Sequence, residues 1–384
     1  MKIKKSQQWY IQLFSSVMFV VLIISPLMNR RLSFLFNQSE IVEKRGLAPK
    51  PEFTFKSLEA YPEMFEKYYN DYFPFRNILI RWNSIFKIKY LKVSPLPYKV
   101  IIGKGDWLFY ADEGALDNYK RTKLFSLKEL ERISQRIEKR NVWLLNRGIT
   151  YYIMLTPEKQ TIYPEFMPDS IKRAPNISKL DQVVEYLRKH SKVRIVDVQK
   201  DLYAEKINGH MVFRKIDTHW NQYGAFIASN SLLGVIAKDF SVIHPPAIKD
   251  FSITLETVTR GDLTDMLALK GDIWRSERIP RLTSKDEKRV PGLFNVNQQI
   301  PFKIESFVIV VRDIATLPRL VMFRDSFATS LIPFISAHFS RSVYVWSFSF
   351  DTNLIEKEKP NLVVSEFNER YLDLYIDMLS EDSL

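Results

Sequence analysis

The chain has 384 residues, a formal net charge of +12 and no cysteine. That length makes one large domain or two ordinary ones, and the lack of cysteine excludes disulfides, thiolate metal sites and cysteine nucleophiles. Lys2, Lys4, Lys5, Arg30 and Arg31 give the first 31 residues +5, leaving +7 on the rest, a basic surface suited to an anionic polymer or lipid headgroup but without the basic runs and interleaved aromatics of a nucleic-acid binder.

The run from Trp9 to Leu27 is apolar on every face and is flanked by the N-terminal lysines and by Arg30 and Arg31. As a helix it is long enough to cross the hydrocarbon core of a bilayer, about 30 Å. No small-x-small cleavage pattern lies around Ser25-Pro26-Leu27-Met28-Asn29. Residues 1–31 therefore read as an uncleaved signal anchor spanning the membrane at about 9–27. Its N-terminus is placed in the cytoplasm by the lysines, and residues 32–384 are placed outside the cytoplasmic membrane. Residues 32–99 read as a linker and helical lead-in, with Pro49 and Pro51 early and a helical pattern from Tyr61 to Tyr90 broken at Pro74.

Residues 100–384 read as one α/β domain. Val100 to Tyr110 predicts a hairpin turning at Gly103-Lys104-Gly105-Asp106. Ser126 predicts the cap of a helix to about Asn146, with Glu129 closing a capping box. Short β-branched runs predict strands at 151–155, 194–198, 307–311, 320–323, 343–346 and 362–365. Helical patterns lie between several of them, at 178–190, 222–238, 328–338 and 369–379. Continuously apolar strands alternating with helices predict a parallel sheet covered on both faces. Residues 240–305 are polar and read as an irregular insertion.

Two short signatures carry the chemistry: Asp217-Thr218-His219-Trp220 and Arg324-Asp325-Ser326-Phe327. Serine is a poor nucleophile near neutral pH unless a base lies within hydrogen-bond reach and a third group orients that base. Ser326 falls where a predicted strand turns into a helix, beyond a carboxyl end of the sheet, where ligands of open α/β folds bind. Its backbone N–H at a helix start suits an oxyanion. The plainer reading makes Ser326 or Asp325 a helix cap. His219 has a carboxylate two residues before it, so Asp217 can fix its tautomer; the other four histidines lack such company. No His pair brackets an acid at i, i+4, and no Gly-rich phosphate loop is present. Neither a metal nor a cofactor is expected.

The chain resembles the SGNH-hydrolase-like family of alginate O-acetyltransferases, the DHHW proteins, whose members include the AlgJ and AlgX types. The resemblance rests on the two signatures, on Asp71-Tyr72-Phe73-Pro74-Phe75-Arg76, on Gly105-Asp106-Trp107-Leu108-Phe109-Tyr110, and on Pro157-Glu158-Lys159 with Tyr163-Pro164-Glu165. Gly261-Asp262-Leu263 completes the ordered set. At the second position of the name motif Thr218 stands in place of histidine. The resemblance implies an SGNH-hydrolase-like three-layer sandwich with a central parallel sheet, preceded by one transmembrane helix. It implies Ser326 as nucleophile, His219 as base and Asp217 as orienter. It further implies acetylation of an exopolysaccharide or cell-wall glycan, with a multi-pass membrane O-acyltransferase supplying the acetyl group. A carbohydrate acetyl esterase and a non-catalytic glycan-binding or assembly protein remain alternatives.

Overall fold

In the computed structural model, residues 9–21, 46–73, 76–269, 276–285, 307–312 and 314–374 are described. The chain divides into two compact units, residues 1–95 with 264–273 and residues 96–263 with 274–384. In the first unit residues 9–21 are helical. Among the described residues no helix is long and apolar enough to cross a membrane, and the rest of the expected span lies outside them. Helices Tyr61–Tyr72 and Arg76–Phe86 follow, and the second continues as a π-helical turn through Lys87–Leu91. Pro74 and Phe75, at the expected break, lie outside the described residues.

The second unit is built on a six-stranded sheet. In chain order its strands are β3 (Thr150–Thr156), β4 (Arg194–Asp197), β7 (Phe307–Val311), β8 (Arg319–Arg324), β9 (Arg341–Trp346) and β10 (Leu362–Asn368). They lie in the order β4-β3-β10-β8-β9-β7. Two antiparallel pairs stand apart, β1 (Val100–Ile102) with β2 (Leu108–Tyr110), and β5 (Phe251–Val258) with β6 (Glu277–Ser284).

Alternation along the central strands sends side chains to two cores. Tyr152, Met154, Leu320, Met322 and Val364 face one core with the Gln222–Ile236 helix. Tyr151, Ile153, Leu155, Val321, Phe323 and Val363 face the other with helices Leu127–Leu145 and Lys179–His190. Burial on both faces is why these strands read as unbroken apolar runs. Each such fully buried aliphatic or aromatic side chain contributes roughly 1.5–3 kcal/mol. Capping boxes start both helices of the second core, Ser126 with Glu129 and Ser178 with Asp181.

Three expectations are corrected. The sheet is mixed rather than parallel, because β7 runs antiparallel to β9. Only residues 312–318 join β7 to β8, fewer than the dozen or more that a parallel crossover needs. The helix expected at 328–338 is broken into a 3-10 turn, a short α-helix at Ile332–Ile335 and another 3-10 turn; Pro333 lacks the N–H that a continuous helix would use. Within the stretch expected to be irregular, β5 and β6 pair over eight residues. Their alternation, Phe-Ser-Ile-Thr-Leu-Glu in β5, is that of a ribbon; most of its side chains are exposed, so its composition is polar. Residues 270–275 and 286–305 of that stretch, and 375–379 of the last predicted helix, lie outside the described residues.

Candidate active site

The candidate site lies where β3, β10 and β8 end side by side. Ser326 follows β8 and opens the 3-10 turn Phe327–Ser330. Its hydroxyl is 2.8 Å from His219 Nε2, and His219 Nδ1 is 2.8 Å from Asp217 Oδ1. All three residues singled out from the sequence are thus joined in one chain of hydrogen bonds. The Ser326 N–H meets no acceptor among the described residues, which leaves it available to an oxyanion.

The Asp217 loop is a tight turn. An antiparallel bridge pairs Phe213 with Trp220, and Arg214 N–H donates to the His219 carbonyl at 3.2 Å. Asn221 then caps the Gln222–Ile236 helix by accepting from Gly224 N–H. A Cβ at Gly224 would stand 2.1 Å from the Val212 carbonyl oxygen, so only glycine allows this approach. Within the turn Asp217 Oδ1 also accepts from His219 N–H, at 3.0 Å.

Four further residues hold the turn, and spacing along the chain does not reveal them. Arg214 donates to Asp217 Oδ2 at 3.0 Å and is itself held by Glu277 of β6 at 3.0 Å. Asp262 donates its N–H to Asp217 Oδ2 at 3.1 Å and accepts the N–H and the hydroxyl of Thr218, both at 2.7 Å. Lys159, buried just past β3, donates to the carbonyls of Arg214, Lys215 and Asp217. Asp262 and Lys159 belong to motifs quoted for the resemblance, which is the one signal that points to them. A Cβ at Gly261 would meet the Ile216 carbonyl oxygen at 2.2 Å.

Asp217, His219 and Asp262 present three ligand-type atoms within 4.8 Å of one another. Donors already engage them: Arg214 faces Asp217, and Thr218 faces Asp262. The guanidinium supplies the positive charge that a cation would otherwise bring to Asp217.

The Ser326 turn is fixed from below by carboxyl groups. Asp325, buried, accepts from Phe327 N–H and from Asn368 N–H at the end of β10, each at 2.7 Å. It is therefore a clamp between two strand ends and not the simple helix cap considered above. Its own N–H donates to buried Glu366 at 3.1 Å. Beside them, buried Arg370 pairs with Glu158. Glu369 accepts from Glu158 N–H at 2.7 Å and from the Thr161 hydroxyl.

These placements set the protonation states. Burial pulls the His219 imidazole down, but the bond and charge of Asp217, with the charge of Asp262, outweigh it and hold its pKa above 6.5. Its side chain keeps 28 % of its surface exposed. Burial opposes the charged form of Asp217; the bonds and charge of His219 and the charge of Arg214 prevail and hold its carboxyl far below the usual range. Burial, with the neighbouring Asp325 charge, pushes the Glu366 carboxyl well above the usual carboxylate range. Burial brings Lys159 down to about 8 and Glu369 up to about 7.

Comparison with known proteins agrees with this architecture. A family model described as "SGNH hydrolase-like domain, acetyltransferase AlgX" matches residues 100–301, more than half of the chain. The match includes the Asp217–Trp220 signature and Gly261-Asp262, and it stops before Ser326. The "Probable alginate O-acetylase AlgJ" of Pseudomonas syringae pv. tomato is 27 % identical over 210 residues, 53 % of this chain and 50 % of that protein. The protein of the same name from Azotobacter vinelandii is 25 % identical over 346 residues, 83 % of this chain and 81 % of that protein. The chain thus spans only half the length of the first of these relatives. Among solved structures, Bacillus cereus PatB1 superposes with a TM-score of 0.54 at 16 % identity, over 71 % of this chain and 96 % of that one, a likeness of fold. By the match over residues 100–301, the chain belongs to the SGNH hydrolase-like domain family of the AlgX acetyltransferases.

Proposed function

We propose that the chain is an extracytoplasmic O-acetyltransferase that moves an acetyl group to hydroxyls of an exopolysaccharide or cell-wall glycan through an acetyl-serine intermediate. The observation that carries this reading is the continuous chain Asp217–His219–Ser326, with both links at 2.8 Å. The relatives named for alginate O-acetylation support the acetyl group and the polysaccharide.

In the proposed cycle Ser326 Oγ attacks the acetyl carbonyl as its proton passes to His219 Nε2. Asp217 stabilises the resulting imidazolium, and the Ser326 N–H faces the oxyanion. Collapse breaks the ester bond, and His219 returns the proton to the departing alcohol. A glycan hydroxyl then gives its proton to His219 and attacks the acetyl-serine, and Ser326 recovers the proton. The donor comes from a multi-pass membrane O-acyltransferase, and the Trp9–Leu27 run keeps the enzyme at that membrane. A second reading, an acetyl esterase, gains from the partial exposure of His219, since water can take the acceptor's place.

The test is incubation with an acetyl ester, with and without acceptor oligosaccharide, followed by mass spectrometry of protein and sugar. Acetyl on the sugar supports transfer. Free acetate alone supports the esterase. No acetylated sugar, no free acetate and no acetyl on Ser326 under either condition removes both and leaves the binding protein.

A further inference from the structure

The segment from Arg76 to Pro95 contains five basic side chains, Arg76, Arg81, Lys87, Lys89 and Lys92, and no acidic one. Its helix, Arg76–Phe86, runs on through the π-turn Lys87–Leu91 and ends at Lys92 in the left-handed region. Leu79, Trp82, Phe86 and Tyr90 recur along it at spacings of three, four and four, so they share one stripe. That stripe is open to solvent: Leu79 is 57 % exposed, Trp82 71 %, Phe86 54 % and Tyr90 65 %. The buried positions of the same helical segment are others, Ser84 and Ile88. Single exposed apolar residues are ordinary, whereas a periodic stripe of large ones marks an interaction face.

We propose that residues 76–95 form a peripheral membrane-binding face. Its aromatic and aliphatic stripe enters the boundary between headgroups and acyl chains, and its lysines and arginines lie against anionic lipid headgroups. Three observations choose a lipid surface. The charge is of one sign, which suits a phosphate-bearing surface. Trp and Tyr beside Leu and Phe is the mixture favoured at a bilayer interface. The face also lies in the same compact unit as the exposed, apolar helix at residues 9–21. A second copy of the chain would set five basic residues against the same five, so self-association is disfavoured by like charge. The proposal rests on different residues from the suggested Trp9–Leu27 anchor and stands if that anchor fails.

The absence of cysteine provides the test. Single cysteines replacing Trp82 or Phe86 in the full chain are labelled with an environment-sensitive fluorophore. A cysteine at Ile207, an exposed residue of the other unit, is the control. The proteins are mixed with vesicles of phosphatidylglycerol and phosphatidylethanolamine, or of phosphatidylcholine alone. Labels at 82 and 86 are expected to shift to the blue and to be quenched by a lipid-borne quencher in the anionic vesicles, and the label at 207 is not. The shift should weaken several-fold in phosphatidylcholine, in high salt, and in a Lys89→Glu/Lys92→Glu variant. If the Trp9–Leu27 run does not span, the same signal persists as salt-reversible binding. Free access of iodide to all three labels in anionic vesicles overturns the proposal. So does shielding of 82 and 86 that needs no lipid and grows with protein concentration, which indicates self-association. Shielding confined to native membranes, and absent from pure lipid, overturns it in favour of a protein partner.

Discussion

Asp262 takes both polar hydrogens of Thr218, the N–H and the hydroxyl at 2.7 Å each, and its carboxylate then stands 3.8 Å from His219 Nδ1. Thr218, at the second position of the motif where the family's name motif has histidine, is thus the residue that ties a second negative charge to His219. Two carboxylates, not one, raise the imidazole's pKa.

That arrangement sets a pH dependence. His219 must be neutral to accept the serine proton, so a raised pKa moves the acid limb of kcat/KM upward. The midpoint is expected above 6.5, the ordinary histidine value. Asp262→Asn should move it down while keeping both Thr218 hydrogens within reach of an oxygen on one side only. Asp217→Asn should move it further down and lower kcat roughly 10³–10⁴-fold, because the orienting bond is lost as well. Steady-state rates on a chromogenic acetyl ester between pH 5 and 9 measure both. A limb unmoved by either substitution would mean that another group limits the rate.

Ser326→Ala should abolish the acyl-enzyme and lower turnover by about three or more orders of magnitude. His219→Ala should be nearly as severe, and the double variant little worse than either single one, since members of such a chain act as a unit. Circular dichroism should show both folded. Near wild-type turnover by folded Ser326→Ala would remove Ser326 as the nucleophile.

Asp325→Ala separates a cap from a clamp. Loss of a helix cap costs about 1 kcal/mol. Here two buried N–H groups, on Phe327 and Asn368, lose their acceptor. At about 1–3 kcal/mol for each unsatisfied group, the loss should be roughly 2–6 kcal/mol, with activity falling as the Ser326 turn loosens. Asp325→Asn should help little, because its amide turns a donor toward one of those donors. Urea unfolding at pH 7 decides between the two; a loss near 1 kcal/mol would make Asp325 only a cap.

Glu369 contributes in the opposite direction. Its folded pKa, about 7, lies above the ordinary 4.5 because burial disfavours its charge. Between those values the folded state holds a proton that the unfolded chain has released. Stability from this group is therefore full below 4.5 and is lost as pH rises through 7. Glu369→Gln keeps an oxygen for Glu158 N–H and removes the titration. It should raise stability at pH 8 by up to about 3 kcal/mol and flatten the fall between pH 4.5 and 7. Urea midpoints across that range read the effect.

Legibility followed chemistry that is local in the chain. The strands showed themselves because both faces are buried, and the Ser126 helix because its cap and Glu129 lie three residues apart. Ser326, His219 and Asp217 are legible because each sits in a compact signature. Arg214, Glu366 and Arg370 are not, and Lys159 is legible only through the motif it shares with the family, because the role of a buried ionisable group is defined by what tertiary structure brings to it. Lys159 looks like any surface lysine until three carbonyls surround it. The antiparallel course of β7 depends on the length of one connection, and the alternation in β5 is hidden by its polar composition.

The position of β10 determines when this domain can exist. Leu362–Asn368 lies between β3 and β8, pairing with both. Without it the sheet is two fragments, β4 with β3 and β8 with β9 and β7. Among the described residues the strand made last is therefore the one that joins those made earlier, and a growing chain cannot complete the sheet piece by piece. The interval before residue 368 emerges is one in which the earlier strands wait with unpaired edges. At ordinary elongation rates of about 5–20 residues per second, the more than 200 residues separating β3 from β10 keep β3 waiting for on the order of ten seconds or more. Protection of those edges, by a chaperone or by delayed collapse, is a requirement that the topology itself imposes.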